Sequence, residues 1–323
     1  MNKISFYFIL SFIALALFSC NKDDDGLKTV PPRDYAVQYN SEKDSIKKYL
    51  KTHYIKEVLE IDGFLDIIID TIPKVNTEGL VSIYDNTQYP LDSIVMRSDI
   101  RTSSLTDGEY NNKVDYTVYY LMLNEGGNKQ PTTIDSTFTT YRGWTLADNT
   151  EFEKNNFPAW STFPVISTGE QSRITGFRQF TSMLKSSTGT IEHPDGTVRF
   201  TNSGVGVVFL PSGLAYFNQA VTGIPAYSPT AFLIRLHTVR ERDHDRDGIM
   251  SKYEDINNNG NYYDDDTDGD KIPDFLDVDD DGDDYLTKFE IKMPGSDTYY
   301  PFDQIPFCPG GSKKRYLDPN CHD

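Results

Sequence analysis

Cysteine and histidine are scarce in this chain, three and five among 323 residues. His53, His193, His237, His244 and His322 stand singly and share no ligand spacing with the cysteines, so no zinc site is read. Positive charge is short as well: 31 basic residues face 49 acidic ones, a net charge of −18 that argues against a nucleic-acid partner and for cations. What is plentiful, 37% hydrophobic and 13% aromatic residues, suffices for one sizeable core with room for two or three units.

The start MNKISFYFILSFIALALFSC has a basic Lys3 and an apolar run too short and one-sided for an ordinary membrane span. It reads as a secretory signal over residues 1–19, with an uncleaved anchor helix as the alternative. Leu17, Phe18, Ser19 and Cys20 resemble a bacterial lipobox, which implies cleavage before Cys20 and a lipid anchor in the membrane. Lys22, Asp23 and Asp24 are similar to the acidic export tag of Bacteroidetes surface lipoproteins, which implies the outer membrane and, at its furthest, the cell surface. In that oxidising compartment Cys308 and Cys321 favour a disulfide closing a short loop, two free thiols being the other reading.

Residues 20–40, with Pro31 and Pro32, read as a polar linker, and residues 41–112 as an N-terminal α+β region. SEKDSIKKYLKTHY places Ile46, Tyr49, Leu50 and His53 on one helical face, with Ser41 or Asp44 as caps. FLDIIID (Phe64 to Asp70) and LVSIYD (Leu80 to Asp85) read as strands. Asp62 and Asp66 read as solvated, and no chemistry is assigned here.

Residues 113–241 have the texture of an antiparallel sheet. VDYTVYYLML, STFTTYRGW, VGVVFLP and TAFLIRLHTV read as strands, and QSRITGFRQFTSMLKS as a helix with Ile174, Phe177, Phe180 or Thr181, and Leu184 on one face. KSSTGTIEHPDGTVRFTNSG reads as an extra hairpin around Pro194, Asp195 and Gly196. The fold class is α+β, a curved antiparallel sheet wrapping a short helix.

TYRGWTLADNTEFEKN, SRITGF, LPSGLAY and GIPAYSP followed by FLIRL together resemble an FKBP-type peptidyl-prolyl isomerase, over about two fifths of the chain. The resemblance implies isomerase activity on proline-containing polypeptide clients with no cofactor for catalysis. It implies a pocket of Tyr141, Phe152, Phe163, Ile174, Phe177, Tyr216 and Phe232, with Glu153 at the family's acid and Ile224 in the covering loop. The chain departs from the family at Glu153, where an aspartate is usual, at Phe177, usually tryptophan, and at Phe217, usually glycine.

Residues 242–292 read as acidic repeats, and between Asp243 and Glu290 there are 18 acidic and 4 basic residues, the bulk of the net charge. DHDRDGIMSKYE puts Asp243, Asp245, Asp247 and Glu254 at the ligand spacing of an EF-hand loop. The spacing recurs at Asp255, Asn257, Asn259 and Asp266, at Asp266, Asp268, Asp270 and Asp277, and at Asp279, Asp281, Asp283 and Glu290. Apolar residues at recurring offsets favour structural calcium over a solvated acidic tail, and the abutting frames resemble thrombospondin type 3 repeats. Residues 293–323 form the cysteine-bearing tail. The functional expectation is a lipid-anchored isomerase for exported proteins; a non-catalytic binding module in a calcium-stabilised surface protein is the alternative.

Overall fold

The computed structural model describes residues 31–61, 64–75, 77–102 and 108–321; Cys20, the export-tag residues and Asp62 lie outside them. Residues 34–323 form one unit, described below. Among the described residues, no helix is long and apolar enough to cross a membrane.

The chain begins with α1 (Tyr35–Thr52), capped by Asp34, whose carboxylate accepts from the Val37 N–H at 3.0 Å. This cap lies upstream of both Ser41 and Asp44, so the helix takes in part of the expected linker. It ends at Thr52 because His53 already opens β1 (His53–Ile61), which pairs with β2 (Phe64–Thr71) as an antiparallel hairpin. LVSIYD is not a strand. Ser82 accepts from the Asp85 N–H and donates to the Asp85 carboxylate, and these local bonds close a 3₁₀ turn over Ile83–Asp85.

Six antiparallel strands make the main sheet in the order β3-β4-β9-β10-β5-β6: β3 (Leu91–Met96), β4 (Tyr116–Asn124), β5 (Ser136–Thr145), β6 (Glu151–Ser161), β9 (Gly204–Leu210) and β10 (Thr230–Arg240). Because β3 precedes residue 112, the sheet runs across the boundary expected there. The extra hairpin is β7 (Gly189–Glu192) with β8 (Val198–Thr201). The expected helix is confined to α2 (Thr175–Thr181).

The central strands β9 and β10 are buried along nearly their whole length because both sheet faces are covered. Val205, Val207, Phe209, Ala231 and Leu233 meet Ile46, Tyr49 and Leu50 of α1 and Ile67 of β2 on one face. Val208, Leu210, Phe232, Ile234 and Leu236 meet Phe177 and Phe180 of α2 and Leu184 on the other. Strands buried on both sides read as unbroken apolar runs, as VGVVFL does. Asp66, expected to be solvated, is instead paired with Arg142 at 3.1 Å and Arg235 at 3.4 Å beneath the hairpin.

In β10 the pairing with β5 slips between Leu236 and Thr238, and the intervening His237 is fully buried. Its Nε2 lies 2.9 Å from Thr140 Oγ1 and its Nδ1 3.0 Å from Ser203 Oγ. Burial, with the Arg235 charge adding, pulls the imidazole down to about 3. The folded protein therefore holds a neutral ring while the unfolded chain binds a proton below the ordinary value of 6.5. The wild-type advantage over His237→Gln is expected to be constant above pH 6.5 and to shrink toward pH 3, at about 1.4 kcal/mol per pH unit. Urea unfolding of both proteins across that range measures it, and a difference independent of pH would contradict the buried neutral ring.

Candidate functional site

On the α2 side of the sheet, strand register sets an aromatic cluster. Phe232 of β10 lies opposite Gly143 of β5, and Ile234 opposite Tyr141. Gly143 in turn lies opposite Glu153 of β6. A Cβ at Gly143 would come within 2.7 Å of the rings of both Phe152 and Phe232, so only glycine lets the two rings close over the strand. Phe177 of α2 meets Tyr141 edge-on with centroids 5.3 Å apart and Phe232 at 5.7 Å, and Phe152 meets Phe232 at 5.5 Å and Tyr216 at 6.3 Å. These are the tilted and edge-to-face geometries that aromatic rings prefer. Phe177 and Phe232 are each 2% exposed and form the floor. Phe152, Ile174 and Tyr216 are half-buried at the rim.

Two polar groups join this cluster. The Tyr141 hydroxyl donates to Glu153, and Arg173 Nη1 donates to the Tyr141 oxygen at 3.1 Å with its guanidinium over the ring. Burial, reinforced by the Glu153 bond, pushes the Tyr141 hydroxyl above its ordinary value, and burial does the same to Tyr216. Ile224 is buried in a tight turn closed by mutual backbone bonds with Val221, while the neighbouring Gly223 would carry a Cβ 3.0 Å from Phe152. Phe163 stands apart: it packs against Tyr263 at 6.4 Å and lies 3.5 Å under the Arg178 guanidinium. Arg178 is itself held by Asp99 in a two-pronged ion pair at 2.6 and 2.9 Å, which pins α2 to the chain after β3.

Arg173 and Glu42 escaped the sequence reading. Glu42 of α1 is buried and accepts from the Ser212 N–H at 2.9 Å and the Ser212 hydroxyl at 3.2 Å, anchoring the turn that leads to Tyr216. Phe217, where the resembled family has glycine, keeps a left-handed backbone (φ 48°) and stacks on Tyr35 of α1 at 3.9 Å. That contact offsets the strain of a side chain in this conformation. No local pattern announces either link, because both partners come from α1.

The acidic segment winds as four similar loops. Asp243, Asp245 and Asp247 come together, as do Asp266, Asp268 and Asp270, and Asp279, Asp281 and Asp283. In the second frame the side-chain amides of Asn257 and Asn259 donate to Asp264, and Asp255 accepts from the Asn259 and Gly260 N–H groups. Asp277 accepts from the Asp279 N–H. Glu254 and Glu290, at the twelfth places, are buried with both carboxylate oxygens lacking a hydrogen-bond partner, as is Asp281. Buried carboxylates without donors fit a hard, oxygen-seeking cation, so these residues could hold calcium.

An unforeseen regularity joins the second and ninth residues of three frames. The backbone N–H of His244, Thr267 and Asp280 donates to the side chain of Ser251, Asp274 and Thr287 respectively. The segment is not a free appendage: Ile134, Tyr262 and Phe275 share one small core, and Arg242 pairs with Glu170 at 2.6 Å. Ile249, Ile291, Ile305, Tyr316 and Leu317 form another, joining the loops to the tail. Cys308 and Cys321 are bonded, with Cα atoms 5.7 Å apart.

A family model described as BamM C-terminal matches residues 244–315. No curated protein matches the chain. Among solved structures, a peptidyl-prolyl cis-trans isomerase from Pseudomonas syringae pv. tomato aligns with a TM-score of 0.30 and 18% identity, over 43% of this chain and 80% of that one. FkpA from Escherichia coli aligns with a TM-score of 0.30 and 20% identity over 38% of this chain and 48% of its own, so the chain spans about half of that protein. The N-terminal domain of FKBP42 from Arabidopsis thaliana aligns with a TM-score of 0.30 and 17% identity over 44% of this chain and 99% of that one.

Within the matched segment every loop turns through two left-handed residues, at its fourth and sixth places. These are Arg246 and Gly248, Asn258 and Gly260, Gly269 and Lys271, and Gly282 and Asp284. Each frame thus has one glycine for two positions that favour it. Lys271, at φ 83° and exposed, carries the strain with only its own backbone bond to Asp266. Lys271→Gly is expected to raise stability by ~0.5–1 kcal/mol. Gly282→Ala is expected to lower it by more, because its Cβ would collide with the Asp268 carboxylate. Thermal unfolding of both variants checks the pair; equal, small effects would show that the left-handed turns carry no strain.

Proposed function

We propose that this chain is an outer-membrane-associated peptidyl-prolyl isomerase, anchored by lipid at Cys20 and acting on proline-containing polypeptides. The observation that carries the proposal is the convergence of Tyr141, Phe152, Phe177, Tyr216 and Phe232 on one apolar floor beside α2. The lipobox-like start and the match to the BamM C-terminal model support the placement.

Rotation about an X-Pro amide is opposed by a resonance barrier of about 20 kcal/mol. Water stabilises the charge-separated planar form, and the twisted amide has lost much of that form. An apolar site therefore favours the twisted state over the planar one. Phe177 and Phe232 take the proline ring, and the Tyr216 hydroxyl holds the substrate carbonyl at the rim. Tyr141 is committed to Glu153 and Arg173, which keep its ring in place. The acidic loops bind calcium and hold the C-terminal segment folded against the sheet, since ligand binding free energy becomes folding free energy.

A second reading, a binding module with little catalysis in an outer-membrane assembly, is favoured by the family match lying wholly outside the aromatic cluster. A proline-isomerisation assay on a short X-Pro peptide separates the two. Catalysis is expected from the wild type, with roughly a hundredfold loss in Phe232→Ala and a tenfold loss in Tyr216→Phe. Folded wild-type protein that binds the peptide without accelerating it would leave the binding module standing.

A further inference from the structure

The fourth loop sends one carboxylate out of its own frame. Asp280 is its second residue, a place that supplies no ligand in the EF-hand spacing. One oxygen of Asp280 nevertheless lies within 4.8 Å of a carboxylate oxygen of both Asp247 and Glu254, which belong to the first loop. Asp247 and Glu254 are 0% exposed and Asp280 is 1% exposed. Asp247 Oδ2, both Glu254 oxygens and Asp280 Oδ1 have no hydrogen-bond partner. The remaining Asp247 oxygen accepts from the Ile249 N–H at 2.7 Å, and Asp280 Oδ2 accepts from Thr287 at 3.2 Å.

Asp280 contrasts with its counterparts. The second residues of the first and third loops, His244 and Thr267, spend their side chains on the ninth residues Ser251 and Asp274. Asp280 makes the same kind of bond with one oxygen and leaves the other facing carboxylates. Three buried carboxylates at this separation repel strongly unless a cation lies among them. The donors are all oxygens, and Glu254 offers two, which suits calcium better than the softer transition metals.

We propose that Asp247, Glu254 and Asp280 share one divalent cation, calcium at extracellular concentration, which ties the first loop directly to the fourth. The four loops then do not fill independently. The first site is incomplete until the fourth loop has folded beside it, and one ion clamps both ends of the segment. This rests on the reading of the loops as calcium sites and adds a ligand outside their repeat.

Calcium titration calorimetry and thermal unfolding of the full chain test it, using wild type, Asp280→Asn, Glu254→Gln and the double variant. Asp280→Asn keeps the shape and the Thr287 bond, so it is expected to raise the unfolding midpoint in EDTA by removing repulsion. In calcium it is expected to weaken one site by about tenfold or more. In the double variant the loss should fall on that same single ion and leave the other sites as in wild type, because both residues serve one ion. An Asp280→Asn isotherm identical to wild type, or losses in the two single variants that fall on two different ions, would overturn the shared site and leave the loop reading intact. Wild-type protein that takes up no calcium at millimolar concentration would overturn both.

Discussion

The pairing of β9 with β10 is the constraint on which the rest of the molecule depends. These strands are apolar on both faces, so each needs a cover on each side. Helix α1 with the β1–β2 hairpin supplies one cover, and α2 supplies the other. The register of this pair then propagates outward. It puts Phe232 opposite Gly143, and that one missing side chain lets Phe152 and Phe232 meet above the sheet. The aromatic floor is thus a product of strand alignment, and a slip of one residue would turn Phe232 to the α1 face.

Much of this was legible in the chain itself. The strands with strong alternation or unbroken apolar runs lie close to where the residues placed them, because periodicity reports burial directly. The extra hairpin announced itself through Asp195 and Gly196. The failures have two physical causes, local hydrogen bonds that outweigh composition and partners that come from elsewhere in the chain. LVSIYD has the composition of a strand, yet the Ser82–Asp85 bonds outweigh propensity. The helix cap at Asp34 was hidden in a stretch that looked like linker. Phe163 carries a family resemblance but is drawn away by Arg178 of α2 and by Tyr263, which comes from the acidic segment far along the chain. Glu42, Arg173 and Asp280 were missed because their partners are distant in sequence, and local spacing says nothing about distant partners.

The acidic segment shows the opposite balance. Its repeat was plain, since alternate carboxylates have few other uses at such density. What the repeat could not reveal is its curvature: Asp247 and Glu254 are brought beside Asp280 by the way successive loops stack, with Gly282 pressed against Asp268. The small cores around Phe275 and Tyr316 set that stacking. Apolar contacts decide which carboxylates become neighbours.

The alternation of glycine between the fourth and sixth places of the loops has a consequence for how this chain can change over time. Within each frame handedness and ligand spacing run on one count, and so do the clamps between second and ninth residues in three of the four. Gain or loss of a single residue inside a frame would throw its ligands and turns out of phase, whereas the frame starts at Asp243, Asp255, Asp266 and Asp279 are unevenly spaced, so the junctions between frames admit such a change. The β7–β8 hairpin is exposed from Ile191 to Val198, and its turn can lengthen or shorten with little effect on its surroundings. Variation in length among related chains should therefore collect in the hairpin turn and at the junctions between frames, while the interior of each frame admits only exchanges of one residue for another.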